Sequence, residues 1–122
     1  IYYFQLWVSS ILMIKRREPS MELILALTTE ADLKKGRQLA EIILERRLAA
    51  CASFHKVNSH YWWNGQLEHS EEVQILFKTS KSYLALLRKT VLGLHSYDTP
   101  EFLHWSVSAN QTYREWMDSE LK

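Results

Sequence analysis

The sequence predicts an α+β domain with element order β-α-β-β-α-β and a further helix at its C-terminal end. Three observations carry this. Asn64-Gly65 stands between two runs of strand-like residues, and Asn-Gly is the strongest short hairpin signal, because a type I′ turn needs positive φ at both central positions. Apolar residues at helical period fill the stretch before this hairpin and the stretch after it. Short apolar runs of strand character open and close the set.

Leu23 to Thr28 (LILALT) reads as a short buried strand. Thr29 and Asp32 have capping-box spacing, so a helix is expected from there to Arg47. Its apolar residues are Leu33, Ala40, Ile43, Leu44 and Leu48. Lys34, Arg37, Glu41 and Glu45 take the solvated face, with Arg37–Glu41 as an i,i+4 pair. The hairpin follows as strands 51–63 and 66–79. Phe54 and Val57 are out of step with simple alternation, which predicts a bulge near Lys56. Tyr61, Trp62 and Trp63 are consecutive, so both faces of the tip are apolar. A protruding aromatic hairpin needs a cover, and a neighbouring subunit is the expected one.

Ser80 or Ser82 caps the second helix, whose stripe is Tyr83, Leu84, Leu87, Val91 and Leu94, with Gly93 as its C-terminal cap. His95 to Glu101 is a loop, because Pro100 disfavours helix at Thr99. Leu103, Trp105, Val107 and Ala109 alternate as a fourth strand. Asn110 caps a last helix with Tyr113, Trp116, Met117 and Leu121 inward. The order is the split βαβ, ferredoxin-like pattern.

The 122 residues, 47% of them hydrophobic, suit one domain with an ordinary core. Residues 1–20 are expected to be an extension outside the fold, and residues 21–122 the domain, with Met21 as a possible start. The run IYYFQLWVSSILMI would reach only about 21 Å as a helix, short of a ~30 Å hydrocarbon core. Its basic cluster follows the apolar run, the reverse of a secretory signal. A weak anchor or an added edge strand are the alternatives; otherwise no membrane association is expected.

The net charge is +1, and Lys15, Arg16, Arg17 and Glu18 put +2 of it in residues 1–20. The domain itself carries 12 basic and 13 acidic residues, which argues against nucleic acid as a partner. With only Gly36, Gly65 and Gly93 there is no phosphate-cradling loop. No nucleophile–base pair stands out, so no catalytic residue and no enzymatic activity are expected. A single cysteine, Cys51, excludes an intrachain disulfide and suits a reducing compartment such as the cytoplasm.

The chemically distinctive residues are Cys51 and the histidines. Cys51 opens the second strand, either as a small buried hydrophobe or as a soft thiolate ligand suited to copper. His95 follows the second helix, either as a cap on its last carbonyls or as a ligand. Counting outward from the two-residue turn sets His60 opposite His69, where two imidazoles can share a divalent ion or simply stand exposed. His55 and His104 lie within strands and are expected to be structural.

From about Leu23 to Leu121 the chain resembles the CutA divalent-cation tolerance proteins. The matching pieces are RLAACASF (47–54), SHYWWNGQLE (59–68), EEVQILFKT (71–79), LHSYDTPE (94–101) and YREW (113–116), in the family's order and spacing. The resemblance implies a ferredoxin-like fold assembled as an intertwined homotrimer, similar in architecture to trimeric PII signalling proteins. It implies a role in tolerance of copper and other divalent cations. Carried over by position, Cys51 and His95 are candidate copper ligands. Trp63, Lys78, Tyr97, Pro100 and Glu101 would line an intersubunit cleft, with Glu101 near the metal. Ser96 replaces the family's usual proline, so the loop is expected to be less rigid. Thr28 stands where some relatives have a second cysteine. His60 and His69 match no family position. The expected function is copper tolerance by a cytoplasmic homotrimer. The alternative is a PII-like regulatory or scaffold trimer that binds a small anion or a partner protein in its clefts.

Overall fold

The computed structural model describes residues 21–121; the expectations for residues 1–20 lie outside them. In chain order come β1 (Glu22–Glu30), α1 (Leu33–Glu45), β2 (Cys51–Trp63), β3 (Gln66–Thr79), α2 (Lys81–Leu94), β4 (Leu103–Ser108) and α3 (Gln111–Glu120). The strands form one antiparallel sheet in the order β2-β3-β1-β4. This is the ferredoxin-like arrangement expected from the element order.

One sheet face is covered by α1 and α2. Ala26, Ile75 and Phe77 from the strands meet Leu39, Ala40 and Ile43 of α1 and Leu87 and Val91 of α2. A methyl group at Gly36 would stand 3.5 Å from Ile75 Cδ1, an ordinary contact, so α1 packs on the sheet without requiring glycine there. On the opposite face α3 closes one end, where Met117 and Leu121 bury Leu23 and lean on Leu25 and Val107. Leu103 and Trp105 of β4 stay exposed on this face. Among the described residues no helix is long and apolar enough to cross a membrane.

The hairpin turn is as expected: Asn64 has φ 50° and Gly65 φ 77°. The register runs unbroken from Cys51↔Lys78 to Trp63↔Gln66, so the bulge expected near Lys56 does not form. The physical reason lies in the pattern of burial. Burial on β3 stops at Val73, and from Asn58 to Glu71 no residue of the hairpin is buried. β2 itself has no buried residue, so no core forces strict alternation along it, and Phe54 and Val57 simply point to opposite faces. At the tip Trp62 and Leu67 are 70% and 68% exposed on one face. Tyr61 and Trp63 are exposed on the other.

Other expectations shift at element ends. β1 continues to Glu30, so Thr29 cannot cap α1; Asp32 does, accepting from the Lys35 N–H at 2.8 Å. Gly93 lies inside the last turn of α2, and the cap is His95, whose own ring fixes the chain's exit. Leu44, Leu94 and Trp116 were expected inward and are exposed. Gly36 and Leu39 take the buried positions of α1 instead of Leu44. Arg37 and Glu41 form no ion pair.

Candidate functional site

The end of β1 supplies Thr28, Thr29 and Glu30, and the loop 95–102 is fastened to all three. The Thr28 hydroxyl, fully buried, donates to the Glu101 carbonyl at 2.7 Å. The Thr29 hydroxyl donates to Glu101 Oε2 at 3.3 Å. The Thr29 carbonyl faces His95 Nε2 at 2.5 Å. The Glu30 carboxylate is buried, and it accepts from the Ala31 N–H at 3.1 Å, the Ser96 N–H at 3.1 Å and the Ser96 hydroxyl. A buried charge needs such partners. Ser96 therefore ties the loop down through two donors that proline lacks, contrary to the looser loop expected from its replacement of proline.

His95 is held at both ring nitrogens. A carbonyl cannot donate, so Nε2 carries the hydrogen and donates to Thr29. Nδ1 accepts the Tyr97 N–H at 3.0 Å. Its side chain is fully buried, 3.7 Å from Glu30 Oε2. As placed, neither nitrogen offers a lone pair to a metal.

Tyr97 then points across the sheet, and its hydroxyl donates to Glu72 Oε2 at 2.8 Å. Burial, then the hydrogen bond to Glu72 and the negative charges of Glu72 and Glu30, push its phenol well above the ordinary range. Tyr97 is thus a neutral donor. The result is a cleft of about 460 Å³ on the face opposite the helices, walled by Tyr61, Trp63 and Tyr97 and lined also by Thr29, Ser59, Glu72, Asp98, Thr99 and Glu101. Three carboxylates and no Lys or Arg line it among the described residues. Within one chain its field favours cations.

Of the residues singled out from the sequence, Trp63, Tyr97 and Glu101 meet in this cleft. Lys78 does not. It lies toward the other end of the sheet, donating to the Tyr113 hydroxyl at 3.2 Å and standing 5.2 Å from that ring's centroid. Cys51 is half-buried at the start of β2, 3.9 Å from the Ser53 hydroxyl. The register sets Cys51 level with Leu25, whereas His95 holds Thr29, four residues (about 13 Å) further along β1. Within one chain the two candidate ligands do not meet. Among the described residues no group of three or more His, Cys, Asp or Glu is placed to hold a metal ion. His60 and His69 are directly opposed, as counted from the turn. Glu72, Thr29 and Glu30 escaped the sequence reading. The one signal for Glu30 was an acid two threonines beyond the apolar run of β1.

Fold and site together define a class: a ferredoxin-like α+β protein with a projecting aromatic hairpin and an acidic, aromatic-walled cleft at the end of β1. The chain belongs to the CutA1 divalent ion tolerance protein family, whose model matches residues 24–120. The divalent-cation tolerance protein CutA of Thermococcus kodakarensis is 37% identical over 98 residues, covering 80% of this chain and 94% of that protein. Among solved structures, CutA of Synechococcus elongatus superposes with a TM-score of 0.81 at 35% identity, covering 86% of this chain and 94% of the other. The periplasmic divalent cation tolerance protein CutA of Archaeoglobus fulgidus superposes with a TM-score of 0.80 at 27% identity, covering 82% and 99%.

Proposed function

We propose that this protein serves divalent-cation tolerance as a homotrimer that binds the cation directly, with copper as the ion. The acidic cleft carries the reading: three carboxylates with no basic residue among the described lining draw positive charge toward it. Family membership supports the tolerance role. The uncovered tip aromatics, with Trp62 at 70% exposure, support assembly, because apolar surface of this size needs a partner. Cys51 is the soft donor that favours copper. His95 acts first as a positioning residue that aims Tyr97 at Glu72, and it coordinates only by giving up the Tyr97 N–H. The second ligand for Cys51 comes from another subunit in this reading. The lone cysteine favours a reducing compartment, the cytoplasm.

A native mass spectrum of chelator-stripped full-length protein, with and without copper, tests the assembly and the metal together. The expected result is a trimer that gains at least one copper per chain, with less uptake in Cys51→Ser. A trimer that stays metal-free overturns direct binding.

The aromatic walls favour one second reading, a regulatory trimer whose cleft takes an organic cation, since amines stack on Tyr and Trp faces. A thermal-shift screen of metal-free protein separates the two. Stabilisation by amines without metal favours the second reading.

A further inference from the structure

We propose that His60 and His69 form a second metal site, specific to this chain, that takes a borderline divalent ion such as Cu(II) or Zn(II) on the outer half of the hairpin. The pair goes beyond the function proposed above, because it shares no side chain with the cleft or with Cys51.

The unbroken register from the Asn64-Gly65 turn sets the two histidines directly opposite one another. Their side chains therefore leave the same face, from Cβ atoms about 5 Å apart. The rings lie with centroids 5.6 Å apart and planes inclined by 25°. A nitrogen from each ring at about 2.0–2.1 Å from one ion, at a tetrahedral angle, puts the centroids about 5 Å apart. The rings must turn from this stacked arrangement so that one nitrogen of each points into the gap.

Both residues are exposed, and among the described residues no hydrogen bond engages either ring. That is the opposite of His95, whose two nitrogens are both committed. Glu71 lies diagonal to His60 on the same face. It lines the same open hollow with Asn58, Ser59 and Ser70, so the two imidazoles supply the protein ligands and Glu71 adds negative charge nearby. Imidazole suits Cu(II) and Zn(II) and binds Mg(II) and Ca(II) poorly, which sets the class of ion. The pair also lies on the face opposite Tyr61 and Trp63, so an ion here leaves the cleft open.

The test is Cu(II) titration of the full chain, read by calorimetry and by electron paramagnetic resonance, which counts bound nitrogens. It uses the Cys51→Ser protein and the same protein carrying His60→Gln, His69→Gln or both. Circular dichroism and subunit count are recorded for every variant, which separates a change in fold or assembly from the loss of a ligand. The expected result is that Cys51→Ser alone keeps one Cu(II) per chain with two imidazole nitrogens. Each histidine variant then weakens binding by about tenfold or more and removes a nitrogen. Equal affinity and an unchanged nitrogen count in the double histidine variant overturn the proposal. If Cys51→Ser alone abolishes all binding, the pair is likewise overturned while the cysteine reading stands. A site that survives Cys51→Ser and disappears with the histidines supports the pair whatever Cys51 does.

Discussion

The Ser96–Glu30 tie is the feature of the site whose energetic consequence is most sharply defined. Glu30 is 2% exposed, and the two Ser96 donors are two of its three hydrogen-bond partners. Ser96→Ala removes the hydroxyl and leaves the carboxylate with backbone donors only. A hydrogen bond to a charged group contributes about 1.5–3 kcal/mol. Ser96 itself is exposed, so water can partly replace the lost donor, and the low end, about 1.5 kcal/mol, is the expected cost. Ser96→Pro removes the N–H as well. His95, with φ −64° and ψ 144°, already has the backbone that precedes proline, so no strain is added at that residue. Proline returns about 0.4–1 kcal/mol by restricting the unfolded chain, which leaves a net cost of about 2–4 kcal/mol. Urea unfolding at fixed chain concentration measures both. At an m-value of about 1–3 kcal/mol/M, Ser96→Ala shifts the midpoint by about 0.5–1.5 M. A double-mutant cycle supplies the decisive control. In a Glu30→Ala background the acceptor is gone, so Ser96→Ala should cost little. An equal cost in both backgrounds means no coupling, and the account of how the loop is fastened fails.

Three further outcomes are expected. Tyr97 holds its proton in the folded state above the pH where unfolded phenols release theirs, so the native state binds more protons and stability falls as pH rises beyond about 10. Its contribution is complete below about pH 10, and the slope it adds above that is at most about 1.4 kcal/mol per pH unit; urea midpoints across this range should fall less steeply in Tyr97→Phe, and an identical fall would refute the assignment. Gly65→Val should cost about 1–2 kcal/mol in the same unfolding assay from backbone conformation alone, since φ is 77° and the space around a Cβ there is open. Trp63→Ala should make subunits dissociate at higher chain concentration in sedimentation velocity, whereas a variant that stays trimeric at nanomolar concentration contradicts the role given to the hairpin tip.

Local chemistry alone specified the hairpin and its register. Only positive φ at Asn64 and Gly65 closes a two-residue turn that matches strand twist, and once the turn is fixed every opposed pair out to Cys51 and Lys78 can be counted. The helices were legible for the same reason, because burying one stripe requires a 3.6-residue period. Family-like motifs also pointed to Trp63, Tyr97 and Glu101 as neighbours, and they line one cleft.

Tertiary structure decided what depends on contacts between distant segments. Whether a histidine nitrogen is free is a property of what faces it, and for His95 the partners are Thr29, 66 residues away, and the Tyr97 backbone. The sign of the cleft's field depended on Glu72, Asp98 and Glu101 converging from β3 and the loop. Lys78, which the motif placed among them, is drawn instead to Tyr113 on α3. The absence of a bulge followed from β2 having no buried residue to align, a fact of burial that no sequence pattern records. Periodicity and turn chemistry act over a few residues, so sequence carries them directly. Charge, ligand availability and burial arise from side chains brought together across the chain, and those appear only once the sheet has formed.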